Sequence, residues 1–170
     1  FTVGQLRFLE SFQFTNASLD SLVKTLNIDE MTHTRQHFSD DTQFKMVQKK
    51  GIFPYDYIDS LERFEETQLP SRSKFFNKLE DKRPPLRDIF RAQLTWKYLN
   101  CKTLGDYHDV YLKSDVLLLA DFFEKFRNTC IKNYDLDAAH YFSAPGLAWD
   151  ASLKMTKIEL ELLRDQVMYD

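Results

Sequence analysis

Apolar positions recur at helical spacing along most of the chain, and only the first dozen residues approach an alternating pattern. Leu6 to Phe12 (LRFLESF) predicts a strand, with Phe8 and Phe12 alternating with Arg7 and Ser11 and Leu9 interrupting the period. Ser18 is placed to cap a short helix, SLDSLVKTL, whose Leu19, Leu22 and Val23 point inward. Asn27 to Ser39 is polar and predicts a loop. Asp40 or Asp41 then caps a helix through Lys50, with Gly51 as its stop. Ile52-Phe53-Pro54-Tyr55 is expected to be extended, because a residue before proline avoids the helical region. Asp59 predicts a cap for one turn, SLERFEE, and Pro70 with Pro84-Pro85 brackets a loop rich in Lys and Arg.

The second half is more regular. A helix is predicted from Leu86 to Leu99, and Thr103 with Asp106 resembles a capping box that starts a long helix ending near Asn133. Along it, Val116, Leu119, Phe122, Phe123 and Phe126 form the stripe expected to face a core. Tyr111 and Asp115, four residues apart, stack on a different face. Asp137 to Pro145 reads as a link and Ala148 to Leu163 as a last helix, with Leu147, Trp149 and Leu153 as core.

Composition narrows the chemistry. Of 170 residues, 43% are apolar and 15% aromatic, enough for a core and unlike a disordered chain. Four glycines and no GxGxxG or GxxxxGK[ST] exclude the Gly-rich phosphate loops. The net charge of −3 gives no overall nucleic-acid signature. Between Ser71 and Tyr98, however, Arg72, Lys74, Lys78, Lys82, Arg83, Arg87, Arg91 and Lys97 outweigh Glu80, Asp81 and Asp88. Phe75, Phe76, Phe90, Trp96 and Tyr98 are interleaved with them. Cations for phosphates and rings for bases suit a single strand, while a solvated basic loop and helix is the plainer alternative. Cys101 and Cys130 have neither metal nor disulfide spacing and read as reduced thiols of an intracellular protein. No membrane-spanning run is visible. The start at Phe rather than Met suggests a piece of something longer. Asp106, His108 and Asp109 scatter around a helix and read as surface, and His33 and His37 lack the HExxH of a zinc site.

A phenol and a carboxylate on one rigid face can serve phosphate chemistry. The carboxylate can bind a divalent metal and the phenol can orient a water. The stretches LGDYHDVYLKSDVLLLADFFEKFR and LDAAHYFSAPGLAWDASLKMT, with KGIFPYDYI before them, resemble family B DNA polymerases of the protein-primed type. The polymerases of self-synthesising (Polinton/Maverick) transposons are the most similar. The resemblance runs from LRFLESFQF to IELELL. It implies an α/β, mostly helical chain. That chain would be the C-terminal half of a ribonuclease H-like 3′–5′ exonuclease domain (residues 1–135), leading into the start of a polymerase domain (136–170).

The same resemblance makes Tyr111 and Asp115 the third exonuclease motif. Asp115 would be the ligand of a Mg2+ or Mn2+, and Tyr111 would orient the attacking water. Lys50, three positions before the hydrophobic Phe53, becomes a cation near the scissile phosphate with Phe53 packed behind it. The family's single-strand contact motif fits Ser18-Leu19 by its letters and Ser11-Phe12 by its position. Arg87 and Arg91 are further candidates for DNA contact. Implied partners are a single-stranded 3′ end, primer-template DNA, deoxynucleoside triphosphates and a terminal priming protein, with no membrane. The Asp-x-Glu and Asn-aromatic-Asp motifs of the exonuclease, and all polymerase motifs, are missing from this sequence, so the chain by itself is expected to be inactive. The alternative is a transposon-derived remnant that binds DNA or a protein without catalysis.

Overall fold

The computed structural model describes residues 2–79 and 81–161. It is mostly helical, with one two-stranded sheet. The elements are β1 (Thr2–Val3), β2 (Leu6–Arg7), α1 (Leu19–Val23), α2 (Thr32–His37), α3 (Asp41–Val47), α4 (Leu86–Tyr98), α5 (Leu104–Tyr134) and α6 (Ala144–Thr156). Short 3-10 turns fill many of the connections. Two compact units are formed, one from Ala17–Glu124 and one from Phe1–Asn16 with Lys125–Asp170. Among the described residues no helix is long and apolar enough to cross a membrane.

In the larger unit, two apolar clusters set the positions of the helices. The first joins Val23, Met31, Phe38, Phe44 and Val47 to Leu118 of α5. The second joins Ala92 of α4 and Cys101 to Leu104 and Tyr107 of α5, with Phe53, Tyr57 and Trp96 packed on it. Ser18 caps α1 by accepting from Ser21 N (3.3 Å), and Asp40 caps α3 by accepting from Thr42 N and Gln43 N, both at 2.9 Å. The expected box at the head of α5 is present. Thr103 N donates to Asp106 Oδ2 at 3.0 Å, and Asp106 N donates to Thr103 Oγ1 at 3.2 Å.

Several expectations are corrected. Residues 27–39 are not all loop, since α2 lies within them. Its N-terminal amides are satisfied by Asp121 of α5, a partner 87 residues away in sequence that no local pattern reveals. α3 stops at Val47, before the predicted end at Lys50. The turn Leu61–Glu65 is preceded by Ser60, and Asp59 instead accepts from Arg63 Nε at 3.1 Å. The buried stripe of α5 includes Leu104, Tyr107, Tyr111, Ser114, Leu118 and Phe122, at spacings of three or four. Val116, placed in the core by the sequence pattern, is 59% exposed. This helix carries apolar residues all round, so periodicity alone picks the wrong phase.

In the smaller unit, the predicted strand 6–12 shrinks to Leu6–Arg7. It pairs antiparallel with Thr2–Val3 across a turn in which Gly4 takes a φ of +59°. Both strands are exposed, so nothing extends the alternating pattern beyond Arg7. Ser11–Gln13 form a 3-10 turn. Arg127 holds Asp137 through two hydrogen bonds of 2.9 and 2.6 Å, and this pairing keeps the carboxyl well below its usual range. α6 begins at Ala144, earlier than predicted, because Pro145 fits the first helical turn. It ends at Thr156 with Lys157 left-handed (φ +55°). Leu163, the predicted end, lies outside the described residues. Leu147 is buried as expected, whereas Trp149 is 59% exposed.

Candidate functional site

The segment 50–53 follows α3 and lies against α4 and α5, where three contacts hold it. Arg91 of α4 donates from its guanidinium to the Lys50 carbonyl oxygen. Tyr107 of α5 donates its hydroxyl to the Ile52 carbonyl at 2.8 Å. Gly51 lies so close to the Tyr111 ring that a Cβ there would come within 3.1 Å of it. These contacts fix the backbone from which the Lys50 side chain extends.

Lys50, Tyr111 and Asp115 meet. Lys50 Nζ donates to Tyr111 OH at 2.7 Å and to Asp115 Oδ2 at 2.9 Å. Tyr55 donates its hydroxyl to Tyr111 OH at 2.8 Å. Phe53 stacks on the Tyr111 ring (centroids 5.4 Å apart), with an edge of His108 and the ring of Tyr107 on its other sides. The cluster is only partly open to solvent: the Asp115 side chain is 18% exposed and that of Lys50 31%. Burial, the Tyr55 hydrogen bond and the nearby Asp115 carboxylate, in that order, push the Tyr111 phenol above its ordinary pKa. It therefore keeps its proton at neutral pH and can donate it.

No protein-family model, curated protein or solved structure matches this chain.

Asp115 Oδ1 is buried without a hydrogen-bond partner. A buried carboxylate oxygen left in that state costs free energy, on the order of 1–3 kcal/mol, unless something outside the chain satisfies it. A hard divalent cation such as Mg2+ or Mn2+ fits an orphaned carboxylate oxygen. Among the described residues no group of three or more His, Cys, Asp or Glu side chains is placed to hold a metal. Among the described residues, Asp115 is the one whose buried side-chain oxygen is left open to such an ion.

The structure unites Lys50, Phe53, Tyr111 and Asp115 from positions up to 65 residues apart, as the sequence reading expects. It places the other candidates differently. Arg91 is spent on the Lys50 carbonyl and is a positioning residue. Arg87 is exposed, 3.7 Å from Asp88. Ser18 is occupied by its helix cap, and Leu19 packs on the first apolar cluster. Ser11 and Phe12 belong to the smaller unit. Asp106 is occupied as the cap of α5. Cys101 and Cys130 are buried free thiols, and burial pushes Cys101 up to about 11, which makes it a poor nucleophile. Sequence reasoning missed Tyr55 and Tyr107. The only signal for Tyr55 is the aromatic crowding of FPYDY beside a lysine, and Tyr107, in GDYHD, has no local signal.

Proposed function

We propose that this chain forms the Lys50–Tyr111–Asp115 wall of a ribonuclease H-like 3′–5′ exonuclease that proofreads for a protein-primed family B DNA polymerase. One observation carries the reading. An ammonium, a neutral phenol and a carboxylate with one orphaned oxygen converge from remote positions, in the order that the resemblance implies. The Asp-x-Glu carboxylates that this family sets opposite Asp115 are not among these 170 residues. The chain therefore supplies one wall of a two-metal site and not the whole of it.

Bound Mg2+ or Mn2+ would supply Lewis-acid polarisation of the scissile phosphate and a more acidic water. Asp115, whose Oδ1 has no partner, would hold the cation. Tyr111 accepts from Lys50 and Tyr55, which leaves its own proton to orient the attacking water. Lys50 faces the charge that grows on the phosphate oxygens, in a partly desolvated site where such an interaction is strong. Tyr55, Tyr107 and Arg91 hold these groups in register. Deoxynucleoside triphosphates and a priming protein are partners of the same reading, served by residues outside this chain.

The test is hydrolysis of a 5′-labelled single strand by the enzyme that joins this chain to an Asp-x-Glu segment. With Mg2+ the strand should shorten stepwise from its 3′ end, and EDTA should stop the reaction. A strand that stays intact with Mg2+, or shortens equally in EDTA, defeats the proposal. Gly51→Ala probes the geometry. Its Cβ must push the Tyr111 ring by a few tenths of an ångström. A fall of about tenfold in kcat is expected from such a displacement. An unchanged kcat would show that the ring has room to move.

A further inference from the structure

Beside the Lys50–Tyr111 pair opens a cleft of about 500 Å³. Residues between Lys50 and Asp56 line it on one stretch of chain, and Phe75 to Asn77, Leu79 and Lys82 to Pro85 on another, with Tyr111 also in its lining. The volume falls in the range of clefts that hold small ligands, about 300–1,000 Å³. It has room for a nucleotide and is far too small for a duplex.

The outer wall is built, not slack. Asn77 and Lys82 exchange backbone hydrogen bonds of 2.8 and 3.2 Å, closing a tight turn in which Asp81 is left-handed (φ +52°). Lys78 N donates to Asp56 Oδ2 at 3.1 Å, which ties that turn to the opposite wall. Arg72 Nε donates to the Pro84 carbonyl at 3.0 Å and fixes the exit of the segment. The acids at the cleft are already engaged, Asp56 by Lys78 (3.5 Å) and Asp88 by Arg87. Among the described residues neither Lys82 nor Arg83 is in an ion pair. Arg83 lies over the Phe76 ring, 5.9 Å from its centroid. At the tip, Leu79 is 98% exposed, an apolar side chain with nothing of its own chain to cover it.

We infer that this cleft seats an unpaired nucleotide of single-stranded DNA, its base against Phe76 and its phosphate near Lys82 and Arg83. This rests on the exonuclease reading and names the residues that would bring the strand to it. A ring beside unpaired cations is the arrangement that binds bases and backbone together without regard to sequence. Lys50 and Tyr111 belong to both the cleft and the carboxylate cluster, so a strand lying in the cleft passes the point of hydrolysis. The basic and aromatic character of residues 71–98 thus resolves into one wall, at Phe76, Lys82 and Arg83. Arg87 and Arg91 do not belong to that wall.

The test is binding of fluorescein-labelled (dT)12 to the full chain in EDTA, followed by anisotropy. Hydrolysis plays no part in that signal, so failure of the exonuclease reading would leave it untouched. Lys82→Gln with Arg83→Gln removes two exposed cations and should flatten the slope of log affinity against log salt by about 1.4. Phe76→Ala should weaken binding about tenfold, a typical loss for one stacked base. Phe76→Leu keeps the apolar bulk that Ala removes, and should lose a similar factor because the ring is gone. Wild-type affinity and slope in these variants would overturn the inference while leaving the site at Asp115 standing. Displacement of the strand by dTMP at equal concentration would also overturn it, by showing a site for the free mononucleotide.

Discussion

Asp121→Ala is expected to lower the unfolding free energy by about 3–5 kcal/mol, the combined cost of stranding several buried donors that a charge had satisfied. The Asp121 carboxylate is 1% exposed. It accepts from His33 N at 2.7 Å, Thr34 N at 3.1 Å and Thr34 Oγ1 at 2.6 Å. Thr34 is itself fully buried, so no water can take over when the carboxylate is removed. The negative charge also lies at the positive end of the α2 amides, a further favourable contribution. Urea denaturation followed by far-ultraviolet circular dichroism would measure the loss. Asp121→Asn should recover only part of it, because one amide end presents hydrogens to hydrogens. A loss below about 1 kcal/mol would mean that α2 is held by its apolar contacts alone.

Asp115→Ala is expected to have the opposite balance. Degradation of a single-stranded 3′ end should fall by at least about 10²–10³, the usual consequence of removing one electrostatic group from such a site. Nucleotide addition by the same enzyme should survive, since it uses other carboxylates. Stability should change little, because removing the unpartnered Oδ1 offsets the loss of the ion pair that Lys50 makes with Oδ2. The pair of measurements, a primer-degradation time course and a denaturation curve, separates a functional carboxylate from a structural one. Degradation that persists at the normal rate would remove Asp115 from the reaction.

Much of this was legible in the sequence, and what was not has a common physical cause. Helix ends with local chemistry were readable: Ser18, Asp40 and the Thr103–Asp106 box each cap the helix they were expected to cap. α2 was hidden because its cap comes from Asp121, far along the chain. The phase of α5 was misread because Val116 and Leu119 are as apolar as Leu118, and only packing against α1, α3 and the residues flanking α2 chooses among them. The same choice buries Tyr111, which the i,i+4 rule alone had left facing away from the core. The site was legible where motif letters were local, at Lys50 to Phe53 and Tyr111 to Asp115. Its supports were not, since Arg91 and Tyr107 act through backbone carbonyls that any residue would present.

Lys50 lies between Tyr111 and Asp115 as an internal counter-ion. In zinc fingers and similar small domains, folding waits for the metal, because the free energy of binding it is the free energy of folding. Here the negative charge at Asp115 is already met by an ammonium that the chain brings with it. On the exonuclease reading, the wall then takes shape without the ion, and the metal becomes a matter of turnover and not of birth.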